Sequence, residues 1–325
     1  MGADKYGIAV AGTTLVDKLN TIAAYPACGE LTKISAVNRA VGGCVPNVGI
    51  DLKKICPTLP VYAIGRVGAD DNGVYLREVL QENGLDVSGL LTVEETTSFT
   101  EVMSIPGGQR TFFTYAGADA GLTADDIPLT GALPRILHLG YFLLLDKVDN
   151  GEGLAILKKA SAAGIATSID LVSENSDRYA LVRPCLPYTD YLIINEMEAG
   201  RLAELEPTVA NLPAIAQKLM EMGVRRKVII HFREGAVCCS EQGITTAGSV
   251  DVPREEIVGT TGAGDAFCAG ALYAIHEGYD DRAILDFAAC TAAMALRTAD
   301  ATSGLCTKDE IETICQKYGR IQLCW

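Results

Sequence analysis

A glycine-rich turn leads into an acidic residue near the C-terminal quarter of the chain. The segment 259–265 reads Gly-Thr-Thr-Gly-Ala-Gly-Asp, and the run 266–277 after it predicts a helix that ends at Gly278. The backbone N–H groups of residues 262–264 then lack intrahelical partners, so a transferring phosphoryl group is stabilised beside them. Asp265 is placed to accept a proton from a hydroxyl that attacks this group, or it only complements the helix dipole.

Two further polar side chains follow apolar or glycine-containing stretches in the N-terminal half. Asp17 lies just beyond the apolar run 6–11, and Asn47 follows Gly42 and Gly43 at a predicted helix start. Ligands of a parallel α/β sheet lie past the carboxyl ends of its strands, glycines allow close approach, and Asn offers a donor and an acceptor to vicinal hydroxyls. The alternatives are an ordinary loop acid and a plain turn with an Asn at the helix start.

Asn195 and Glu198 directly follow a predicted strand over residues 191–194. Residues three apart at a helix start face the same side, so both side chains can reach one phosphate–magnesium group. The competing interpretation is a helix-start acid that interacts only with the helix dipole.

Strand-like and helix-like runs alternate through the second half of the chain. Residues 136–141, 165–170 and 191–194 have strand character, and 153–163 has helical character. This alternation predicts βαβ units and a parallel sheet. Two stretches rich in strand formers, within 13–38 and 96–118, interrupt the N-terminal part and predict a small separate sheet.

The composition restricts the function classes. The chain has 325 residues, of which 49% are hydrophobic and 21% charged, and its formal net charge is −14. This acidity argues against nucleic acid and anionic membrane as partners. The 11 cysteines are scattered without a CxxC pair, which favours a reducing cytoplasm. We find no apolar run of about 18 residues that would predict a membrane span.

Two common nucleotide-binding motifs are absent from the sequence. No Gly-Lys-Ser or Gly-Lys-Thr phosphate loop occurs, and no GxGxxG follows the first predicted strand. ATP therefore cannot be held by a phosphate loop of that kind, and the missing GxGxxG counts against a nicotinamide enzyme.

The string GTTGAGDAF at 259–267 resembles the C-terminal signature of the ribokinase-like, or phosphofructokinase-B, family of sugar kinases. Gly42, Gly43 and Asn47 resemble its N-terminal signature, and residues 195–198 match its Asn-x-x-Glu motif. The resemblance spans about residues 6–300. It implies an α/β fold with three α/β/α layers, a mostly parallel central sheet and a small β-sheet lid.

The resemblance also implies roles for individual residues. Asp265 is expected to be the catalytic base, with Gly262, Ala263 and Gly264 as the anion hole. The residues expected to bind the sugar are Asp17, Gly42, Gly43, Asn47 and Tyr141. The residues expected to hold ATP and Mg²⁺ are Asn195, Glu198, Thr260 and Thr261, with Glu198 at the metal.

The implied domain division separates a core from a lid. Residues 1–12, 39–95 and 119–325 form the nucleotide- and substrate-binding core, and 13–38 and 96–118 form the lid. Because short β insertions have exposed edges, a second copy of the chain is a candidate partner, which gives a homodimer through the lid.

The predicted function is ATP-dependent phosphorylation of a hydroxyl group of a small sugar of the ribose, fructose or 2-keto-3-deoxygluconate type. The alternatives are a nucleoside kinase of the adenosine type and a catalytically silent sugar- or nucleotide-binding protein. One departure concerns cations. Many relatives have Asp where this chain has Gly259, which puts activation by a monovalent cation in doubt.

Overall fold

Two β-sheets organise the chain in the computed structural model, which describes residues 5–107, 110–129, 133–173 and 177–323. The strands are β1 (Ile8–Gly12), β2 (Leu15–Ile22), β3 (Ile34–Gly42), β4 (Val61–Gly68), β5 (Asp86–Val93), β6 (Phe99–Ser104), β7 (Arg110–Tyr115), β8 (Ile136–Phe142), β9 (Ala166–Leu171), β10 (Tyr191–Asn195), β11 (Lys227–Phe232), β12 (Gly235–Ser240) and β13 (Gly243–Gly248).

The larger sheet has the strand order β13-β12-β11-β10-β9-β8-β1-β4-β5. Strands β11 to β5 in this order pair in parallel, and the hairpin of β12 and β13 adds an antiparallel edge. The chain proceeds from β1 to one side and from β8 to the other, so the strand order reverses between β1 and β8. Such a reversal opens a crevice at the carboxyl ends of the two strands.

Helices cover both faces of this sheet. They are α1 (Cys44–Ile55), α2 (Asp71–Glu82), α3 (Gly153–Ala162), α4 (Glu196–Ala203), α5 (Leu212–Glu221), α6 (Ala263–His276), α7 (Asp281–Ala295) and α8 (Lys308–Cys315). Ile8 and Val10 of β1 pack into one hydrophobic core with α1, α2, α6, α7 and α8, whereas Ala9 and Ala11 pack into a second core with α3, α4 and α5. Alternate strand residues point to opposite faces, which gives three layers and confirms the predicted fold class.

The smaller sheet has the order β3-β2-β6-β7. Strand β2 pairs antiparallel with β3 and parallel with β6, and β6 pairs antiparallel with β7. Strand β3 continues to Gly42 and so includes residues 39–42, which the predicted domain division gave to the core. The division itself stays a prediction. Its parts at 1–4, 108–109, 130–132, 174–176 and 324–325 lie outside the described residues.

Two helices begin earlier than the sequence indicates. Helix α6 starts at Ala263, so Asp265 lies in its first turn and not before it. Helix α1 starts at Cys44 and includes Pro46 in its first turn. Proline is tolerated there because the N–H groups of a first turn have no intrahelical partner. Both starts lie at the crevice. Within the described ranges, no helix combines the length and apolar character needed to span a bilayer.

Candidate active site

The crevice lies where the ends of β1 and β8 meet. Gly12 and Gly140 are paired at these ends, and a Cβ atom on Gly12 would lie 2.5 Å from the Gly140 carbonyl oxygen. Only glycine permits this approach of the two backbones. The starts of α1 and α6 face the same place, because Asn47 of α1 hydrogen-bonds Asp265 of α6.

The start of α6 presents backbone N–H groups to the crevice. Gly262 precedes the helix with a left-handed φ of 77°, and no side chain caps it. The Ala263 N–H donates to the Thr260 carbonyl at 3.3 Å, while no described residue accepts a hydrogen bond from the N–H of Gly262 or Gly264. A helix start of this kind attracts anions through its dipole and its free donors.

The Asp265 carboxylate accepts hydrogen bonds from two side chains. Asn47 Nδ2 donates to Oδ2 at 2.9 Å, and the Tyr141 hydroxyl lies 2.9 Å from Oδ1 and 3.0 Å from Oδ2. Burial raises the pKa of Asp265 to about 7, and the nearby charge of Asp170 adds to this effect, while the two hydrogen bonds oppose it. The group therefore titrates near neutral pH, which suits a general base.

Tyr141 is held in a strained turn after β8. Its φ is 61° and that of Leu143 is 77°, both unfavourable for side chains other than glycine. Buried carboxylates accept the N–H groups of both residues, with Asp170 Oδ1 at 2.5 Å from the Tyr141 nitrogen and Asp149 Oδ1 at 2.8 Å from the Leu143 nitrogen. These bonds offset a backbone cost of about 1–3 kcal/mol per residue and fix the direction of the tyrosine ring.

Asn47 has an unsatisfied acceptor. Its side chain is 7% exposed, and its Oδ1 atom has no hydrogen-bond partner among the described residues. A buried acceptor without a partner is costly, so it is suited to receive a ligand hydroxyl. Gly43 supports this position with a φ of 89°, since a Cβ atom there would lie 2.6 Å from the Thr13 carbonyl oxygen.

Asp17 and Gly42 face each other on the smaller sheet. Asp17 lies on β2, half-buried, and burial raises its pKa to about 6. A Cβ atom on Gly42 would lie 2.3 Å from Asp17 Oδ2, so the glycine makes room for the carboxyl group. Asp17 is thus positioned by the small sheet, whereas Asp265, Asn47 and Tyr141 contact one another directly in the core.

Two cavities adjoin the start of α6. The smaller, of about 230 Å³, is lined by Tyr141, Asp170, Glu198, Gly262 and Asp265 among others. The larger, of about 1090 Å³, is lined by Thr260 and by apolar residues of α7 such as Ala292 and Ala293. Asn195, His231 and Gly264 line both cavities, so the two meet there.

Asn195 and Glu198 form a capping box at the start of α4. The Asn195 side chain accepts the Glu198 N–H at 2.9 Å, and Glu198 Oε2 accepts the Asn195 N–H at 3.1 Å. The Ser173 hydroxyl donates to Glu198 Oε1 at 2.8 Å, and burial raises the pKa of Glu198 to about 7. With Asp170 and Asp265, Glu198 brings three carboxyl groups to the smaller cavity, a donor set that suits an oxygen-preferring cation such as Mg²⁺.

Sequence reasoning missed Arg110 and Asp170. Arg110 of β7 donates from Nη1 to the Thr261 hydroxyl at 3.1 Å, which links the small sheet to the glycine-rich loop. Asp170 ends the predicted strand 165–170, and this position near the carboxyl end of β9 was the available signal. His231, whose pKa burial lowers to about 4, is neutral between the cavities and stacks on Phe267 with ring centroids 4.9 Å apart.

Known proteins resemble the chain over almost its whole length. A model of the pfkB family of carbohydrate kinases matches residues 8–308. A ribokinase of Arabidopsis thaliana is 24% identical over 303 residues, covering 90% of this chain and 77% of its own sequence. An adenosine kinase of Schizophyllum commune is 29% identical over 272 residues, covering 77% of each chain.

A solved structure shares the fold. The Arabidopsis thaliana ribokinase complexed with ribose and ATP superposes with a TM-score of 0.81 and 21% identity, covering 96% of this chain and 99% of that one.

Proposed function

The chain belongs to the pfkB family of carbohydrate kinases, and we propose that it transfers the γ-phosphoryl group of ATP to a hydroxyl group of a small sugar. The observation that carries this proposal is the position of Asp265. Its carboxylate lies in the first turn of α6, beside the free N–H of Gly264 and at the wall of the cavity that Asn195 and Glu198 also line.

Each residue of the site has a part in this reaction. Asp265 accepts the proton of the sugar hydroxyl as the oxygen attacks, and the N–H groups of residues 262–264 stabilise the charge on the transferring group. The free Oδ1 of Asn47 accepts a hydrogen bond from a sugar hydroxyl. Asp17, Gly42 and Gly43 complete the sugar-binding group, and Tyr141 orients the carboxylate of Asp265.

The larger cavity fits the nucleotide. It combines an apolar wall from α7 with Thr260 and Gly264 at the start of α6, as an adenine base with a phosphate chain requires. Bound ATP with Mg²⁺ supplies the phosphoryl group and neutralises its charge. Asn195, Glu198, Thr260 and Thr261 are the residues that would hold the phosphates, with Glu198 at the metal.

The nucleoside kinase is the second candidate, since the adenosine kinase of Schizophyllum commune is 29% identical to this chain. ATP consumption with ribose, fructose, 2-keto-3-deoxygluconate and adenosine at equal concentrations separates the two. We expect the largest kcat/KM for a sugar. A larger value for adenosine favours the second candidate, and no turnover with any compound favours the silent binding protein.

We further propose that turnover does not require a monovalent cation. Gly259 supplies no carboxylate, and a Cβ atom there would lie 3.0 Å from the Thr298 carbonyl oxygen, so a larger side chain has little room. Equal rates in potassium chloride and in tetramethylammonium chloride are expected. A rate that rises several-fold in potassium contradicts this.

The smaller sheet is proposed to pair with a second copy of the chain. On this sheet, Val37, Phe112 and Phe113 are 67%, 61% and 58% exposed. A group of large apolar side chains this exposed to water is unusual in a monomer. Sedimentation should give a dimer that Phe113→Lys dissociates, and a monomeric wild type contradicts the pairing. The cytoplasmic location and the absence of nucleic-acid and membrane partners stay predictions from composition.

A further inference from the structure

A buried cluster of sulfur, nitrogen and oxygen donors lies behind the candidate active site. Cys44 of α1, His138 of β8 and Asp170 of β9 each offer one ligand atom, and these atoms all lie within 4.8 Å of one another. The three side chains are buried. Asp170 and the neighbouring Cys268 line the smaller cavity, so a small ion can reach the cluster from the crevice.

The distances in the cluster suit a tetrahedral metal ion. His138 Nε2 lies 3.5 Å from Asp170 Oδ2 and 3.6 Å from Cys268 Sγ. Zinc–sulfur bonds of about 2.3 Å and zinc–nitrogen bonds of about 2.0 Å place neighbouring S and N donors of a tetrahedron about 3.6 Å apart. The Cys268 thiol adjoins the cluster through this contact with His138, but it is not one of the three ligand atoms that all lie within 4.8 Å of one another.

The histidine is oriented as metal-binding histidines commonly are. His138 and Ser168 are paired across β8 and β9, and His138 Nδ1 lies 3.1 Å from the Ser168 hydroxyl. When Nδ1 donates to this hydroxyl, Nε2 keeps its lone pair toward the cluster. The two carboxylate oxygens of Asp170 also have different partners. Oδ1 accepts the Tyr141 N–H, and Oδ2 faces His138.

Gly140 makes room for the thiol. A Cβ atom at this position would lie 1.9 Å from Cys44 Sγ and 3.1 Å from Asp170 Oδ1. A side chain on residue 140 would displace the thiol or the carboxylate, so the cluster depends on this glycine. If these positions held only apolar side chains, the packing would not need a glycine beside a carboxylate and an imidazole.

We propose that Cys44, His138 and Asp170 bind one thiophilic divalent cation of the zinc class, which leaves the fourth position of a tetrahedron to a ligand other than these three. Thiolate and imidazole ligands select zinc over magnesium, which prefers oxygen ligands. The site therefore differs in metal preference from a magnesium site at Glu198, although Asp170 adjoins both. The proposal does not depend on the proposed function. Because Asp170 also holds the Tyr141 backbone, bound metal is coupled to the residue that contacts Asp265.

The test uses the full-length protein, freed of metals, without nucleotide and under anaerobic conditions. Cobalt(II) is titrated in the presence of excess magnesium, which occupies oxygen-rich sites. We expect one equivalent of cobalt to give a near-ultraviolet thiolate-to-metal charge-transfer band and the strong visible bands of four-coordinate cobalt. Zinc should abolish both bands by displacement. Absence of a stoichiometric thiolate band in the wild type overturns the proposal.

Variants locate the ligands. Cys44→Ser should weaken cobalt binding at least tenfold, whereas Cys56→Ser, outside the cluster, should leave it unchanged. Melting curves of the metal-free proteins verify that each variant is folded. X-ray absorption of the zinc-loaded wild type gives a readout that needs no variant, with sulfur and nitrogen or oxygen expected around the metal. Retained binding in folded Cys44→Ser, or a zinc shell without sulfur, overturns the assignment.

Discussion

The core side of the site and the small-sheet side are built differently. In the core, Asp265 is bonded by Asn47 and Tyr141, and the Tyr141 backbone is in turn held by buried Asp170. On the small sheet, exposed Arg110 reaches the glycine-rich loop through a single hydrogen bond to Thr261. A buried network of several hydrogen bonds holds its members in place, whereas one exposed bond contributes little. We therefore expect side-chain changes in the core to affect the chemistry more than changes on the small sheet.

The largest effect is expected from Asp265→Asn, which removes the proposed base and keeps its shape. General base catalysis contributes about 10²–10⁴-fold, so kcat should fall by at least about 100-fold while ATP affinity changes little. Steady-state kinetics and calorimetric ATP titration measure these quantities. Asp280→Asn is the control, because Asp280 caps α7 and Asn caps equally well. Unchanged kcat in Asp265→Asn would show that Asp265 is not the base.

The second effect is the acid limb of the pH profile. The pKa of Asp265 is raised from 3.8 to about 7, and the base must be ionised to accept a proton. Below pH 7, kcat/KM should therefore fall about tenfold per pH unit and level off above it. A profile measured with the best sugar from pH 5 to 9 checks this. A limb near pH 4 would show that Asp265 is solvated in the free enzyme and that the core is more open than described.

Tyr141→Phe should have a smaller effect that sharpens the comparison. The hydroxyl stabilises the charged form of Asp265, so its removal raises the pKa of Asp265 and moves the acid limb to higher pH. Activity at pH 6 should drop several-fold, with a smaller loss at pH 9. Tyr75→Phe, a change on α2, should leave the profile unchanged. An unshifted limb in Tyr141→Phe would mean that the tyrosine hydroxyl does not stabilise the Asp265 carboxylate in the free enzyme.

The smallest effect is expected from Arg110→Gln on the small sheet. Loss of the exposed bond to Thr261 should change KM for ATP by a few-fold at most, because exposed pairs contribute about 0–1 kcal/mol. The matched control is Arg39→Gln, since Arg39 lies on the same sheet and stacks on Tyr75 with 3.9 Å to the ring centroid. A fall in kcat as large as that of Asp265→Asn would contradict the contrast between the two sides.

The local parts of the fold and site could be predicted from sequence. The glycine pattern before Asp265 predicts a turn and a helix start, and the alternating strands and helices predict a parallel α/β sheet, because turn and helix signals act over a few residues. The kinase assignment came from the resemblance of residues 259–267 to a family signature. The contacts of Asp265 with Asn47 and Tyr141 join residues 218 and 124 positions apart. No local pattern encodes such pairs.

Boundaries were less accurate than element types. The start of α6 at Ala263 depends on the left-handed turn at Gly262, which packs against Ala301, and the sequence does not show this contact. Asp119 illustrates a related limit. Its Oδ2 accepts the Thr14 N–H at 2.9 Å, which ties the end of the second lid segment to the start of the first. The sequence alone does not show this contact of Asp119.

The hydroxyl of Tyr141 has a consequence for the enzyme at rest. Before an acceptor arrives, both oxygens of Asp265 are engaged by this hydroxyl, and Asn47 holds one of them as well. A water molecule would have to compete with these two donors before it could transfer a proton to the Asp265 carboxylate. On the proposal that Asp265 is the base, we expect the Tyr141 hydroxyl to slow hydrolysis of ATP when no sugar is bound, and Tyr141→Phe to lose this effect.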